Sequence, residues 1–320
     1  MRVSARALVF GGFSLLSLAP GSGAGASRFQ EAEAQAVPES PNDRSIEVFL
    51  VTAGPGDAVW EQFGHNAIWI QDVDRQVGDA YNWGIFDFDQ VDFVPRLVRG
   101  TMLYSMRPAN PDSFLAGYQR EDRQVWVHEL ALTPSQKAQL LAFVEWNALP
   151  ENRDYRYDYY RDNCSTRVRD VLDRVLDGEL RTAFEAVPTP TTYRWHTRRL
   201  LGRLPLYYLG IQMVLGPQAD LPLSAWDEMF LPVRLMEWIQ DVEVSDGEGG
   251  TRPLVSRERL TLESRTRGPE PVAPPRALPW FLLFGFVWGG LLLLLARSNA
   301  PWGGWRRKGA WERASPYSSE

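Results

Sequence analysis

The sequence predicts an α+β fold that carries one membrane span near its C-terminal end. Four runs of β-branched and aromatic residues, bounded by turn residues, occupy the first half of the chain and are typical of strands. Capping signals and apolar residues at helical spacing follow in the second half. Residues 280–296 form an apolar segment without a charged residue. Strands that precede helices, instead of alternating with them, favour an antiparallel sheet.

The two ends of the chain predict export and anchoring. Residues 1–26 have a basic start, an apolar stretch and an Ala-Gly-Ala cleavage site, which indicates a signal peptide; an uncleaved anchor is the alternative. Residues 280–296 are just long enough to span a bilayer. The basic residues in 297–320 place that tail in the cytoplasm by the positive-inside rule. We expect a single-span protein of the bacterial inner membrane, with its main domain in the periplasm.

Composition divides the rest into a linker at 27–45, a domain at 46–245 and a stalk at 246–279 that is rich in Pro, Gly and charge. About 200 residues suffice for one sizeable core. The formal net charge is −6 and no nucleic-acid motif is present. Nucleic acid is therefore excluded as an expected partner.

The predicted elements of the domain follow in order. Strands are expected at residues 46–52, 65–71, 79–83 and 125–132. The capping box Thr-Pro-Ser-Gln at 133–136 opens a helix to about residue 147. A second helix begins at Cys164, because apolar residues at 168, 171, 172, 175 and 176 share one helix face and Gly178 follows as a C-cap. A mixed Arg-aromatic segment at 193–215 and an amphipathic helix at 230–239 complete the domain.

Cys164 is the only cysteine, so it has no partner for an internal disulfide. At a helix N-terminus, with Arg161, Arg167 and Arg169 nearby, its thiolate should be stabilised and its pKa lowered. These features predict a nucleophile. The alternative is a buried cysteine that acts as a small hydrophobic residue.

A cysteine nucleophile needs a base, and the chain has three histidines. His65 follows a glycine and opens a strand, and it is the predicted base. His128 is expected in mid-strand as a structural residue, and His196, among arginines, as a surface or headgroup contact. One cysteine and three distant histidines do not suit a zinc site, so neither a metal nor another cofactor is expected.

Asn82 is the predicted third group, since its amide oxygen could fix the tautomer of the imidazole. Asp87 and Asp162 are alternatives. The backbone N–H of Cys164 is a natural oxyanion donor at the start of its helix. Side-chain donors or supporting groups at the same site are expected among Asn163, Tyr157, Tyr159 and Asp162.

The segment at 193–215 carries four arginines among Trp, Tyr and Leu. Such a composition can lie against anionic headgroups. Arg194, Arg198 and Arg199 are the predicted headgroup contacts. A core helix with exposed arginines is an equal alternative.

Four motifs stand out around these residues: FGHNA at 63–67, YNWGIFDF at 81–88, NRDYRYDYY at 152–160 and DNCSTR at 162–167. Thr192-Tyr193-Arg194, Leu215-Gly216 with Asp220, and Phe230-Leu231-Pro232 extend the set. With these motifs the chain resembles, over about residues 46–239, the periplasmic domain family named for the lipoprotein N-acyltransferase Lnb.

The resemblance implies a permuted papain-like fold of the NlpC type, in which a cysteine at a helix start faces a histidine on the sheet. It also implies acyl transfer from a phospholipid, through a Cys164 thioester, to the α-amine of a diacylated lipoprotein. Because a fold does not select a reaction, two alternatives stay open. One is a peptidoglycan amidase or peptidase with the same dyad, and the other is a membrane-anchored binding protein without catalysis.

Overall fold

A computed structural model describes residues 45–86, 96, 102–276 and 278–297, and it shows a mixed α+β protein. In chain order the strands are β1 (Ile46–Ala53), β2 (His65–Asp72), β3 (Val77–Phe86), β4 (Leu103–Ala109), β5 (Val125–Leu130), β6 (Asp154–Arg156), β7 (Pro188–Thr192), β8 (Pro222–Ser224), β9 (Glu243–Ser245), β10 (Thr251–Pro253) and β11 (Val255–Leu262). Within the described residues, seven strands form an antiparallel sheet in the order β11-β5-β1-β2-β3-β4-β6. The pairs β7-β8 and β9-β10 are separate ribbons.

The helices are α1 (Pro111–Arg120), α2 (Pro134–Ala148), α3 (Cys164–Val175), α4 (Glu179–Phe184), α5 (Tyr193–Leu200), α6 (Pro205–Val214), α7 (Ala225–Glu228), α8 (Pro232–Gln240) and α9 (Leu278–Arg297). The predicted capping box of α2 is confirmed, because Thr133 Oγ1 accepts from the N–H of Gln136 at 3.2 Å and Gln136 Oε1 accepts from that of Thr133 at 2.9 Å. Both ends of the box therefore satisfy a backbone donor.

The core lies on both faces of β1. Leu50 points to the larger core, where it joins Ile68 of β2 with Val168 and Leu172 of α3. Val51 points to the opposite face and packs in a smaller cluster under α1. Alternate side chains of a strand face opposite ways, so this double burial explains why β1 is apolar at nearly every position. Each fully buried Leu or Val contributes about 1.5–3 kcal/mol to folding.

The predicted strands at 46–52, 65–71, 79–83 and 125–132 are confirmed within a few residues by β1, β2, β3 and β5. Strands β4 and β6 and helix α1 were not predicted from the sequence. Pro108 lies inside β4, and proline argues against a strand, while β6 has only three residues. Short or proline-containing strands give too little alternation to be recognised.

The predicted stalk is corrected by the structure. Residues 255–262 form β11, which pairs with β5 at the sheet edge, and the compact unit continues to Pro274 instead of ending at residue 245. Beyond β11, Asp122 accepts from the backbone N–H groups of Arg265 and Thr266, both at 2.9 Å. An edge strand exposes its side chains to water and tolerates charge, so its sequence resembles that of a stalk.

The second compact unit contains α9, which has 20 residues and is long and apolar enough to cross a membrane. This helix agrees with the span predicted at 280–296. The predicted signal peptide at 1–26, the linker up to residue 44 and the tail from residue 298 lie outside the described residues.

Candidate active site

Cys164 is the first residue of α3, and Asn163 is the N-cap of that helix. The Asn163 Oδ1 accepts from the N–H groups of Ser165 at 2.8 Å and Thr166 at 2.9 Å, and its Nδ2 donates to the carbonyls of Tyr159 and Phe230. All of its amide atoms are thus occupied. Asn163 is not available as an oxyanion donor, which corrects that prediction; it positions the cysteine.

A buried hydrogen-bonded chain joins the start of α3 to the sheet. Asn66 Nδ2 donates to Ser165 Oγ at 3.1 Å, and Ser165 Oγ donates to the Met229 carbonyl at 2.7 Å. On the sheet side, Thr52 Oγ1 donates to Asn66 Oδ1 at 2.8 Å. Asn66 directly follows His65 on β2, so this chain ties the start of α3 to the strand that carries the predicted base.

His65 and Asn82 meet across β2 and β3, where His65 Nε2 lies 3.2 Å from Asn82 Oδ1. Asn82 Nδ2 donates to the Ala80 carbonyl at 2.9 Å, so its oxygen must face the imidazole. His65 Nε2 therefore carries the hydrogen, and Nδ1 is left to accept a proton. Burial, followed by the positive charge of Arg123, lowers the pKa of His65 to about 4, although the Asn82 bond acts in the opposite direction. The imidazole is neutral at physiological pH.

The predicted low pKa of Cys164 is corrected. The residue is 8% exposed, and burial raises the pKa of its thiol above the ordinary value. The backbone N–H groups of Asn66, Ser165 and Cys164 and the charge of Arg123 favour the thiolate, but they do not offset the lost hydration. Burial thus favours the uncharged thiol of Cys164 and the uncharged imidazole of His65.

Arg123 is a positive charge at the site that the sequence analysis missed. Its guanidinium is buried, donates from Nε and Nη2 to the Gly54 carbonyl at 3.0 and 2.8 Å, and lies 4.7 Å from the Tyr118 ring centre. It precedes β5 by two residues and reaches the site only through the fold, so no local sequence signal identifies it.

Asp162, one of the two alternative third groups, has a different partner. Asp162 forms a two-bond ion pair with Arg167, which occupies both of its carboxylate oxygens. Burial raises the pKa of Asp162, and the Arg167 bonds act against that rise. Asp87 lies outside the described residues. Of the three candidates, Asn82 alone is shown in contact with His65.

Gly84 brings β3 close to the cysteine. Its φ is +92°, and the β3–β4 register shifts between Asn82 and Ile85, which is typical of a bulge. A Cβ at Gly84 would lie 3.6 Å from Cys164 Cβ and 3.8 Å from Tyr157 Cε2. The site is therefore bounded on this side by backbone and by an aromatic ring.

Tyrosines form the wall around this point. Tyr157 stacks on Tyr104 with ring centres 4.1 Å apart, and Tyr159 meets Phe63 edge to face at 4.8 Å. Burial raises the pKa values of Tyr157 and Tyr159 well above normal, so both phenols stay protonated and can donate. The two predicted tyrosines thus line the site.

Tyr155 is a further site residue that the sequence analysis missed. Its side chain is buried, and its hydroxyl has no hydrogen-bond partner among the residues the structure describes. That hydroxyl lies 4.0 Å from the Cβ position of Gly84, and the Arg167 guanidinium lies 4.1 Å from the ring centre. A buried hydroxyl without a hydrogen bond lowers the stability of the fold, so its presence here favours a role in binding a ligand. The Tyr-x-Tyr-x-Tyr spacing at 155–159 was the available signal.

His196 is not a surface residue, which corrects that prediction. It is fully buried, its Nε2 lies 3.0 Å from Glu228 Oε1, and Arg199 Nε donates to its Nδ1 at 3.0 Å. Burial lowers the pKa of His196. Arg199 is buried as well and binds Glu270 at 2.7 Å, so it is not a headgroup contact. Because α5 is rich in arginine, its sequence suggested an exposed helix and gave no sign of this buried network.

Two other predicted headgroup residues have internal partners. Arg194 binds the Asp220 carboxylate at 2.6 Å and the Leu215 carbonyl at 2.9 Å. Arg198 is partly exposed, and its Nε donates to the Tyr208 hydroxyl at 3.0 Å. His128 is buried beside Gln240, in agreement with its predicted structural role.

The fold and the site define an α+β domain in which a helix that begins at a cysteine packs against a strand that carries a histidine, and that histidine is hydrogen-bonded to an asparagine. The family model described as the Lnb N-terminal periplasmic domain matches residues 34–199, more than half of the chain. The chain belongs to this family. Comparisons with curated proteins and with solved structures gave no significant match.

Proposed function

We propose that this protein is a membrane-anchored thiol acyltransferase, which moves an acyl chain from a phospholipid through a Cys164 thioester to the α-amine of a diacylated lipoprotein. The His65–Asn82 hydrogen bond, on the strand that Asn66 and Ser165 tie to the start of the cysteine helix, is the observation that carries this proposal. A histidine on a strand and a later cysteine at a helix start also suit a permuted papain-like arrangement.

In the first half-reaction, Cys164 Sγ attacks the carbonyl carbon of an acyl ester while its proton passes to His65 Nδ1. The tetrahedral intermediate collapses, the ester C–O bond breaks, and the lysophospholipid alcohol leaves with the proton from His65. The thioester forms without a free thiolate at rest, as the raised pKa of Cys164 and the lowered pKa of His65 require.

In the second half-reaction, the lipoprotein α-amine attacks the thioester carbonyl and gives a proton to His65 Nδ1. The C–S bond breaks, the amide forms, and the proton returns to the Cys164 sulfur. Each half-reaction passes through an oxyanion, for which the N–H of Cys164 at the helix start is one donor. The Tyr155 hydroxyl, free of other partners among the described residues, is suited to be the second.

The aromatic wall favours acyl transfer over hydrolysis. Tyr155, Tyr157 and Tyr159 lie near the cysteine, and Tyr104 stacks on Tyr157. Burial raises the pKa of each, which is the response of a phenol to poor hydration. Exclusion of water protects a thioester until an amine arrives. The apolar helix α9 would keep the enzyme at the bilayer, where both substrates reside.

The test uses the full-length chain in proteoliposomes with phospholipid and a diacylated lipopeptide. We expect N-acylated peptide, and, without the peptide, an acyl group on Cys164 that hydroxylamine releases. Cys164→Ser should form no thioester and no product. Release of peptides from peptidoglycan, with no acyl-enzyme formed from lipid, would support the hydrolase instead.

A further inference from the structure

Helix α6 carries apolar side chains on its exposed side as well as on its buried side. Tyr208 and Ile211 face the domain, whereas Leu206, Leu209 and Met213 are 83%, 42% and 86% exposed. These three residues share one helix face, because their spacing is three and four positions. An apolar helix face normally packs against protein or lipid, so the exposed face of Leu206, Leu209 and Met213 indicates a partner.

Charge around α6 restricts the chemistry of that partner. From residue 186 to residue 219 the chain contains four arginines and no acidic residue. Arg203 is exposed just before the helix, and Arg198 is partly exposed. Apolar side chains bordered by arginines are the pattern of a helix that lies in the interface of an anionic bilayer.

Arg194 holds the far end of α6 in place. Its guanidinium binds Asp220 and donates to the carbonyls of Leu215 and Gly216, the two residues after the helix. The arginine predicted to touch headgroups therefore braces the helix. A braced helix can present its apolar face without first becoming ordered, which lowers the entropic cost of docking.

We propose that the face of Leu206, Leu209 and Met213 docks on the surface of an anionic lipid bilayer. The apolar side chains would enter the headgroup–acyl boundary, and Arg203 and Arg198 would lie at the level of the lipid phosphates. This contact would fix the position of the domain on the bilayer surface. It does not depend on the chemistry proposed at Cys164, and it can be tested in a chain without that thiol.

The experiment labels the full-length chain with a polarity-sensitive fluorophore in a Cys164→Ser background. Single cysteines are placed at Met213 or Leu206, and Val77, an apolar residue on β3 that is 58% exposed, serves as the matched control. The proteins are reconstituted in vesicles of phosphatidylglycerol and phosphatidylcholine that carry an acyl-chain nitroxide. We expect blue-shifted emission and loss of most fluorescence at Met213→Cys and Leu206→Cys, with little change at Val77→Cys.

A second variant tests the apolar face itself. With the fluorophore at Leu209→Cys, Met213→Glu should restore most of the emission, while Val77→Glu should leave it quenched. Equal quenching at Met213 and Val77 would overturn the proposal. So would pyrene excimer emission from Met213→Cys without lipid quenching, because that result would show a second copy on this face.

Discussion

Gly84 and Cys164 approach so closely that a Cβ on the glycine would lie 3.6 Å from the Cβ of the cysteine. The distance is an ordinary contact, so space alone does not exclude a methyl group. The backbone conformation excludes it, because residues other than glycine rarely adopt a φ of +92°. The bulge that brings β3 to the cysteine therefore depends on the absence of a side chain at this position.

Gly84→Ala should destabilise the protein by about 1–2 kcal/mol through backbone strain. It should also reduce acyl transfer, since relief of the strain would move β3 relative to Cys164. Gly117→Ala is the control, because that glycine is inside α1 and its nearest neighbour would be the Arg120 Nη2 at 3.9 Å. Thermal unfolding should show a lower Tm for Gly84→Ala and an unchanged or higher Tm for Gly117→Ala. Equal Tm changes in both would contradict the strain argument.

The His65–Asn82 pair predicts a specific pH dependence. His65 accepts protons only when neutral, and its pKa is lowered to about 4, so activity should fall on the acid side only near that pH. Asn82→Asp would place a carboxylate on the Nε2 hydrogen, stabilise the imidazolium and raise this pKa by about 1–3 units. The acid limb of kcat/KM against pH should move upward accordingly.

The same shift affects stability. Between pH 6.5, the ordinary pKa of histidine, and about pH 4 the unfolded chain binds a proton at His65 that the folded chain does not. His65 therefore destabilises the fold as the pH decreases through this range, and the effect levels off below it. His65→Gln should remove this part of the dependence in chemical unfolding and abolish acyl transfer. An unchanged acid limb in Asn82→Asp would show that His65 is not the titrating base.

The thiol of Cys164 should react slowly with iodoacetamide at neutral pH. Burial raises its pKa above the ordinary value of 9.0, so the alkylation rate should keep increasing above pH 9. His65→Ala should be alkylated at the same rate at pH 7, because no ion pair holds the thiolate. Fast labelling at pH 6 that disappears in His65→Ala would instead reveal a thiolate–imidazolium pair.

Tyr155→Phe should lower kcat by about 10²–10³-fold if the hydroxyl binds the oxyanion. Stability should be retained, because the hydroxyl has no partner to lose among the described residues. Tyr160→Phe is the matched control, since the Tyr160 hydroxyl lies 2.7 Å from Thr197 Oγ1. That change should cost about 1 kcal/mol of stability and leave kcat unaltered. Equal kcat values in Tyr155→Phe and the wild type would exclude an oxyanion role.

Local patterns predicted β1, β2, β3, α2 and the start of α3, because each has an alternation or cap within a few residues. The meeting of His65 with Asn82 followed from pairing two such strands. Features that depend on distant parts of the chain were not predictable. Arg123 reaches the Gly54 carbonyl across 69 positions, and His196 is buried against Glu228, 32 positions later.

The pKa of Cys164 likewise depends on one local feature and on one feature of the tertiary structure. The helix N-terminus, which is visible in the sequence, favours the thiolate. The depth of the site, which is set by tertiary packing, disfavours it and prevails. The direction of a pKa shift thus depended on burial that no local motif encodes.

The place of β11 at the sheet edge decides where a soluble fragment can be cut. A chain terminated at residue 245 would lose β11 and leave one side of β5 without its hydrogen-bonded neighbour. An uncovered apolar strand such as Val125–Leu130 is a template for aggregation. A fragment that ends at Pro274 keeps the edge closed and also retains Glu270, the ion-pair partner of Arg199. A protease that released the domain without damage would have to cleave between Pro274 and α9.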